Sequence, residues 1–337
     1  MILLKLQHYI KKIIHGKIKK NTPITEDIMN IAILGAGAMG SLYASYLAPF
    51  HSVTLLDSCA PLVEHINAKG LIKVSHDHTE IPLKAKAALS GTSLDYQDLV
   101  IVFVKGIHTY EAMKNNQSLL GPDTIVMTLQ NGAGNNRDIA QFVPRERIIV
   151  GTSSHNSVYL ETGKFYHSGC GPTNIGPDLP CESSLRDVKK VAQALEESGL
   201  TVNIMDNIQY VLWQKLVINC GINALSTLMQ CRIGEIYTNP YLWDLCKRIV
   251  YECVLIAEAD GTYLDRKEAL LAVSKVCEND SSGFASMYQD RQNKRLTEID
   301  RINGVVANLG SEYKIPAPCN TMLVTQIHAI EQMYFRQ

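Results

Sequence analysis

Asn30-Ile31-Ala32-Ile33-Leu34-Gly35-Ala36-Gly37-Ala38-Met39-Gly40 is an apolar run that enters a turn with Gly-x-Gly-x-x-Gly spacing. That pattern places a nucleotide pyrophosphate before anything else in the chain has been read. Gly35 permits a tight exit from a strand, Gly37 lets the backbone approach the pyrophosphate with no Cβ in the way, and Gly40 lets the next helix lie close against the strand. Backbone N–H groups of the turn, those of Ala36, Ala38 and Met39 among them, and the positive end of the helix dipole then hold the phosphates. Glycines also mark ordinary turns, so the neighbouring sequence has to decide.

Outward from the turn, Ser41 to Leu47 continues with helical spacing, and Ser52-Val-Thr-Leu-Leu-Asp57 reads as the second strand of a βαβ unit. A carboxylate at Asp57, about 20 residues beyond the glycines, suits the adenosine ribose hydroxyls of NAD and repels the extra phosphate of NADP. No Lys or Arg lies between Gly40 and Ala68. The competing reading has Asp57 merely capping a helix from Ala60. Its strand-end position favours the ribose role, and NAD is preferred, with NADP not excluded.

Strand and helix keep alternating: a helix from Pro61 to Lys69, extended segments at Leu71–Ser75 and Glu80–Ala85, and a strand Leu99–Val104. A helix Glu111–Leu120, a strand Thr124–Leu129, a helix Asn136–Phe142 and a strand Ile148–Ser153 follow. Hairpin strands between Val158 and Ile175, a helix Ser183–Ser198 and a strand Thr201–Met205 complete a doubly wound α/β sheet. After about Ile208 only helical periodicity remains, at Gln209–Met229, Leu242–Asp260, Arg266–Val276, Met287–Asn293, Thr297–Leu309 and Thr321–Met333. The expected organisation is an N-terminal extension 1–28, a Rossmann-type dinucleotide-binding domain 29–206 and an all-helical substrate domain 207–337.

Composition agrees with an ordinary two-domain globular protein: 337 residues, 46% hydrophobic and 19% charged. Lys and Arg total 32 against 33 Asp and Glu, which gives no footprint for nucleic acid and points to a small-molecule partner. Nine cysteines without a C-x-x-C pair fit free thiols in a reducing cytoplasm. No apolar run is long enough to span a bilayer, and the N-terminus lacks a signal-peptide cleavage pattern. The basic, amphipathic start from Met1 to Lys20 is read as an appendage without a catalytic role in preference to a membrane-surface helix. Oligomeric state is open in the sequence, a homo-oligomer being compatible with it.

Chemistry is expected on Trp213-Gln-Lys-Leu-Val-Ile-Asn-Cys-Gly-Ile-Asn-Ala-Leu225, where Lys215, Asn219 and Asn223 fall at i, i+4 and i+8. They share one helix face amid apolar neighbours, so the face either meets solvent or lines a polar cleft. Two asparagines on one line favour the cleft, since a surface helix gains nothing from them.

The ordered set of motifs is similar to the ketopantoate reductase (2-dehydropantoate 2-reductase) family over residues 29 to 325. It comprises the glycine turn, Val104-Lys105, Gln130-Asn131-Gly132, Gly151-Thr-Ser-Ser-His155, the Trp213 to Asn223 helix, Ser286-Met-Tyr-Gln-Asp290 and Thr297-Glu298-Ile-Asp300. The resemblance implies reduction of 2-dehydropantoate to pantoate by nicotinamide hydride, a step of pantothenate and coenzyme A synthesis. Carried over, Lys215 is the general acid and Glu298 a substrate-binding and catalytic carboxylate. Ser286, Asn219 and Asn223 orient substrate, Asn131 sits at the junction of nicotinamide and substrate, and Lys105 is a cofactor-side lysine.

Plainer readings exist for several of these. Thr297 and Asp300 could form a capping arrangement around Glu298, Ser286 could simply start a helix, Asn131-Gly132 could be a strand-end turn and Lys105 could be solvated. His155 is expected to be structural. Were Ser286 and Glu298 on one unbroken helix they would stand about 18 Å apart, so a break near Asn293 to Leu296 is expected. The chain also departs from the family. Members commonly prefer NADPH and carry a basic residue just after the second strand, where this chain has Asp57-Ser58. Some carry asparagines at positions occupied here by Ile233 and Gly283. The rivals are a β-hydroxyacid dehydrogenase, a reductase of another 2-oxo acid, and a non-catalytic NAD-binding sensor, which would have no need of a proton donor at Lys215.

Overall fold

Ile31 and Ile33 face one side of a sheet and Ala32 and Leu34 the other, all four essentially inaccessible, so the first strand is buried on both faces. That is the environment of a central parallel strand covered by helices. The computed structural model describes residues 28–334. The amphipathic appendage read from residues 1–20 lies outside them.

The strand β1 (Asn30–Leu34) leads through helix α1 (Ala38–Leu47) to β2 (Ser52–Leu56), then α2 (Ala60–Lys69), β3 (Leu71–Val74), β4 (Glu80–Leu83), β5 (Lys86–Ala88) and β6 (Leu99–Val102). Next come α3 (Thr109–Asn115), β7 (Ile125–Thr128), α4 (Asn135–Ile139), β8 (Ile148–Ser153), β9 (Asn156–Glu161), β10 (Lys164–Gly169), β11 (Thr173–Pro177), α5 (Glu182–Glu197) and β12 (Val202–Ile204). Eight of these strands form one sheet in the order β12-β11-β8-β7-β6-β1-β2-β5, parallel except where β11 runs against β8. Because β1 pairs with β2 on one side and β6 on the other, the strand order reverses at its carboxyl end. Ligands of doubly wound sheets bind at such a point.

The extended segments around Leu71 and Glu80 and the hairpin after Val158 do not join that sheet. They make a second one, β4-β3-β10-β9, in which β3 runs parallel to β10 across a long stretch of chain. Periodicity reports which faces are apolar and is silent on such long-range pairing. The small sheet covers α1, and Ser157 Oγ donates to the carbonyl of Ala38 at 3.0 Å.

From Ile208 the chain is helical: α6 (Ile208–Met229), α7 (Ile233–Thr238), α8 (Pro240–Ala259), α9 (Arg266–Asn279), α10 (Ser286–Gln292), α11 (Asn303–Tyr313) and α12 (Pro318–Met333). Asn207 starts α6 by accepting from the Tyr210 N–H at 3.1 Å. Asn239 accepts from the N–H groups of Tyr241 and Leu242, so α8 begins at Pro240 rather than at the expected Leu242. Proline suits a first helical position, where its missing N–H costs nothing. The short α7 had no expected counterpart. One helix expected at Thr297–Leu309 is instead a single 3-10 turn, Ile299–Arg301, followed by α11. The anticipated break is present, with α10 ending at Gln292 and Lys294 at φ 51°.

In the helical core Glu252 accepts from the first-turn N–H groups of α12, at Cys319 (2.9 Å) and Asn320 (3.0 Å). The carboxylate thereby satisfies donors that every helix start leaves orphaned. The helical region docks on the sheet through α6, which packs on β8 and β11, and through the turn after β7. There the Ala133 N–H donates to the Arg301 carbonyl at 2.8 Å. Gly132, at φ +79°, permits this approach, since a Cβ would fall 2.2 Å from that same oxygen.

Candidate active site

At the carboxyl end of β1, Gly35 holds φ +102° and donates its N–H to the Leu56 carbonyl at 2.7 Å, tying the glycine turn to β2. A Cβ on Gly40 would lie 1.9 Å from the Gly35 oxygen, so this residue is what lets α1 sit against the strand. A Cβ on Gly37 meets nothing within 4 Å, so the space above it is open. The start of α1 carries no side-chain cap and no acidic residue in its first turn. Its leading N–H groups are therefore available to an anion, and the pyrophosphate of a nicotinamide dinucleotide fits this cradle.

Gly37 has φ −69° and ψ −169°, values alanine adopts readily. Gly37→Ala should leave the free protein as stable or about 0.5 kcal/mol more so, because the unfolded chain loses freedom. Its methyl would project into the pyrophosphate space and weaken cofactor binding by about tenfold, or about 1.4 kcal/mol. A melt and a cofactor titration of the variant check both halves, and unchanged affinity would place the phosphates elsewhere.

Asp57 follows β2 and uses both oxygens on main chain: Oδ2 accepts from the Ala36 N–H at 2.9 Å and Oδ1 from the Cys59 N–H at 3.0 Å. The second bond is a tight turn ahead of α2, whose N-cap is Cys59 with no side-chain cap, so Asp57 does not cap that helix. The Ala36 bond adds that the carboxylate touches the glycine turn itself.

Across the cleft, α6 presents Lys215, Asn219 and Asn223. Lys215 Nζ donates to the Ser153 carbonyl at the end of β8, at 3.2 Å. Burial holds its ammonium well below the ordinary lysine range, at about 8, opposed by the negative charge of Glu298. Neither Asn219 nor Asn223 has a side-chain hydrogen bond among the described residues, and Asn223 is buried.

Glu298 lies at the start of the 3-10 turn, and its Oε1 accepts from the Gly106 N–H at 3.1 Å. Burial raises its carboxyl above the usual range, against the Gly106 bond and the positive charges of Lys105 and Lys215. Residues on either side pin this turn: Thr297 Oγ1 accepts from the Ile299 N–H, while Glu331 takes the Thr297 N–H at 2.7 Å. Asp300 completes no cap. It accepts from His328 Nε2 at 2.9 Å, and His328 Nδ1 meets Glu331 at 2.8 Å.

Lys105 is not merely solvated. Its ammonium pairs with Asp290 at 2.5 Å and donates to the Leu296 carbonyl at 2.8 Å, so it bridges from the end of β6 to the helical region. Burial raises the Asp290 carboxyl while the Lys105 bond lowers it. Asp290 stood in a quoted motif without a role, and its place opposite Lys105 is legible only in three dimensions. Arg301 was missed altogether. It pairs with Asp138 and supplies the carbonyl that receives Ala133. Gln130 Nε2 donates to the Val104 carbonyl at 2.6 Å and to Thr109 Oγ1 at 2.9 Å, locking together the loops after β6 and β7.

Among the described residues the Asn131 side chain makes no hydrogen bond, while its carbonyl accepts from Asn135 at 3.3 Å. Ser286 is exposed at the first position of α10, and Arg291 anchors that helix by donating to the Thr227 carbonyl at 2.5 Å. The two departure positions meet here: the Ile233 N–H donates to the Gly283 carbonyl at 3.0 Å. A cavity of about 560 Å³ opens at the junction of sheet and helices between Gln130, Asp138, Trp213 and Arg301. None of the assigned polar groups lines it, so bonding geometry rather than volume locates the chemistry. His155 is buried outside the cleft against His167, and burial lowers its pKa, which suits the structural role expected of it.

Comparison with known proteins agrees with this layout. The model of the ketopantoate reductase PanE/ApbA family matches residues 31–179, and that of its C-terminal part matches residues 207–331. A 2-dehydropantoate 2-reductase of Streptococcus pyogenes serotype M1 is 28% identical, covering 90% of this chain and 98% of its own. One of Pyrococcus horikoshii is 30% identical with the same coverage. Among solved structures, D-mandelate dehydrogenase with NADH and anilino(oxo)acetate superposes with a TM-score of 0.86 at 31% identity, covering 91% of this chain and 99% of that one. The matches cover both the part that carries the glycine turn and the helical C-terminal region, and the chain is a member of the ketopantoate reductase PanE/ApbA family of oxidoreductases.

Proposed function

We propose that the protein is an NADH-linked reductase of a 2-oxo acid, with 2-dehydropantoate as substrate and pantoate, for pantothenate and coenzyme A synthesis, as product. The observation that carries this is Lys215, an ammonium on α6 held by the Ser153 carbonyl at the end of β8, with its desolvation opposed by the charge of Glu298. The nicotinamide supplies a hydride to the carbonyl carbon. Everything else falls to the chain. Lys215 Nζ stabilises the negative charge that develops on the carbonyl oxygen and gives it a proton. Glu298 keeps the ammonium charged despite its burial and accepts from a substrate hydroxyl. Asn219, Asn223 and Ser286 orient the acid, Asn131 borders the nicotinamide, and Lys105, fixed by Asp290, sets the cofactor-side wall. Asp57 takes the ribose hydroxyls. The reaction belongs in the cytoplasm, where the nine free cysteines stay reduced.

A second reading has a specific motive. Where some family members carry two asparagines, this chain pairs Ile233 with Gly283, and the ring of Phe284 stacks on Tyr288 with centroids 4.4 Å apart. Loss of amides beside an aromatic pair favours a 2-oxo acid with an apolar side chain, as in the NADH-bound mandelate dehydrogenase. Assays of the full chain with NADH or NADPH against ketopantoate, benzoylformate and branched 2-oxo acids decide. The expected result is highest kcat/KM with NADH and ketopantoate. Turnover of benzoylformate with ketopantoate inert transfers the substrate to the second reading, and no oxidation with any acid overturns both.

A further inference from the structure

Outside the cleft, on the flank where the small sheet covers α1, three ligand-type side chains converge. His155 follows β8, His167 lies within β10 and Cys170 comes just after it. One ligand atom from each lies within 4.8 Å of the other two. His155 Nδ1 stands 3.1 Å from His167 Nε2, and Cys170 Sγ stands 3.6 Å from that same nitrogen. Zinc bonds of about 2.0–2.1 Å to nitrogen and 2.3 Å to sulfur give tetrahedral edges of about 3.3 Å between nitrogens and about 3.6 Å between nitrogen and sulfur. The nitrogen pair already has that spacing, whereas Cys170 Sγ, also 4.0 Å from His167 Nδ1, lies beside the ring and reaches the Nε2 lone-pair side by a side-chain rotation.

Two buried imidazoles sharing one proton leave His155 Nε2 buried without a partner, so the arrangement is not a closed polar network. Three other groups face the cluster. Tyr43 and Tyr46 flank His155 with ring centroids 6.2 and 6.1 Å away, and the Lys73 ammonium lies 4.2 Å from the Tyr46 ring centre. Lys73 opposes a cation, and Cys170, which gives up its proton on binding a metal, offsets it. Cys170 is exposed, which leaves the fourth position open to water.

We propose that His155, His167 and Cys170 form a His2Cys site for Zn2+ that joins the end of β8 to β10, separate from the oxidoreductase cleft. Mixed imidazole and thiolate ligands select zinc over magnesium or calcium.

The test uses the untagged full chain, with Co2+ as the spectroscopic probe and Zn2+ as competitor. Wild type should take up one equivalent of Co2+ with a thiolate-to-cobalt charge-transfer band, lost on adding equimolar Zn2+. Cys170→Ser, at an exposed position that tolerates the change, should lose that band and weaken Zn2+ binding by about tenfold or more, within the range for a disturbed metal site. His167→Gln should do the same, and Zn2+ should raise the wild-type Tm but neither variant's. Absence of the band in wild type, its persistence in Cys170→Ser, or a Zn2+ affinity within tenfold of wild type in that variant overturns the site. A metal still bound in that variant would be held by the four other thiols that are not buried, Cys59, Cys181, Cys231 and Cys319, or by the remaining histidines.

Discussion

Lys215→Ala should lower kcat for 2-oxo acid reduction by about 10³-fold while leaving KM for the nicotinamide within about threefold of wild type, since general acid catalysis alone contributes 10²–10⁴. The loss corresponds to about 4 kcal/mol of transition-state stabilisation. It exceeds an ordinary hydrogen bond because the charge on the carbonyl oxygen grows during the reaction, and a fixed ammonium in a partly dry cleft answers it without reorganising. Unfolding would not account for the effect. The wild-type ammonium is held against its desolvation by a carbonyl at 3.2 Å and the charge of Glu298, so its removal should leave Tm near the wild-type value. Stopped-flow or steady-state oxidation of NADH with a circular dichroism melt separates these, and a variant as active as wild type would remove the mechanism.

The pH profile carries the same assignment. With Lys215 as the proposed acid, reduction needs its ammonium, and burial holds its pKa at about 8 rather than in the ordinary lysine range. The reductive rate is therefore full below about pH 8 and falls as pH rises through it. Oxidation of the hydroxy acid needs the neutral amine and rises through the same value. Glu298→Gln removes the charge that opposes the lysine's desolvation, so the falling limb should shift to lower pH. A limb that stays in place in Glu298→Gln would separate the two residues electrostatically.

Much of this architecture was readable in the chain because its signals are local. Glycine spacing, runs such as Ile31–Leu34 and Leu99–Val102, and the change to helical periodicity near Ile208 each depend on neighbours within one element. Lys215, Asn219 and Asn223 could be placed on one face for the same reason. What escaped was non-local. No pattern within β3 reveals that it pairs with β10, and none within Lys105 that it meets Asp290. Arg301 holds the two halves together largely through a backbone carbonyl, which carries no residue-type signature at all. Asp57 lay between these cases. Its position was readable, yet its bond to the Ala36 N–H, which makes it part of the glycine turn, was not.

That double attachment sharpens how the nicotinamide preference should respond to Asp57→Asn. The wild-type carboxylate spends one lone pair per oxygen on the N–H groups of Ala36 and Cys59, and each oxygen retains another for a ribose hydroxyl. Asparagine keeps one acceptor and loses the charge, so the turn survives while repulsion of a ribose phosphate disappears. A unit charge about 4 Å from that phosphate opposes it by between about 1 and about 4 kcal/mol per phosphate charge, depending on how much water intervenes. The NADH-to-NADPH ratio of kcat/KM should accordingly fall by about 10²-fold, with most of the change in NADPH. Asp57→Ala should weaken both cofactors as well, because the Ala36 and Cys59 N–H groups lose their acceptor and the glycine turn loosens. If both variants lower NADH and NADPH use equally, with the ratio unmoved, Asp57 only holds the turn and the nicotinamide preference lies in other residues.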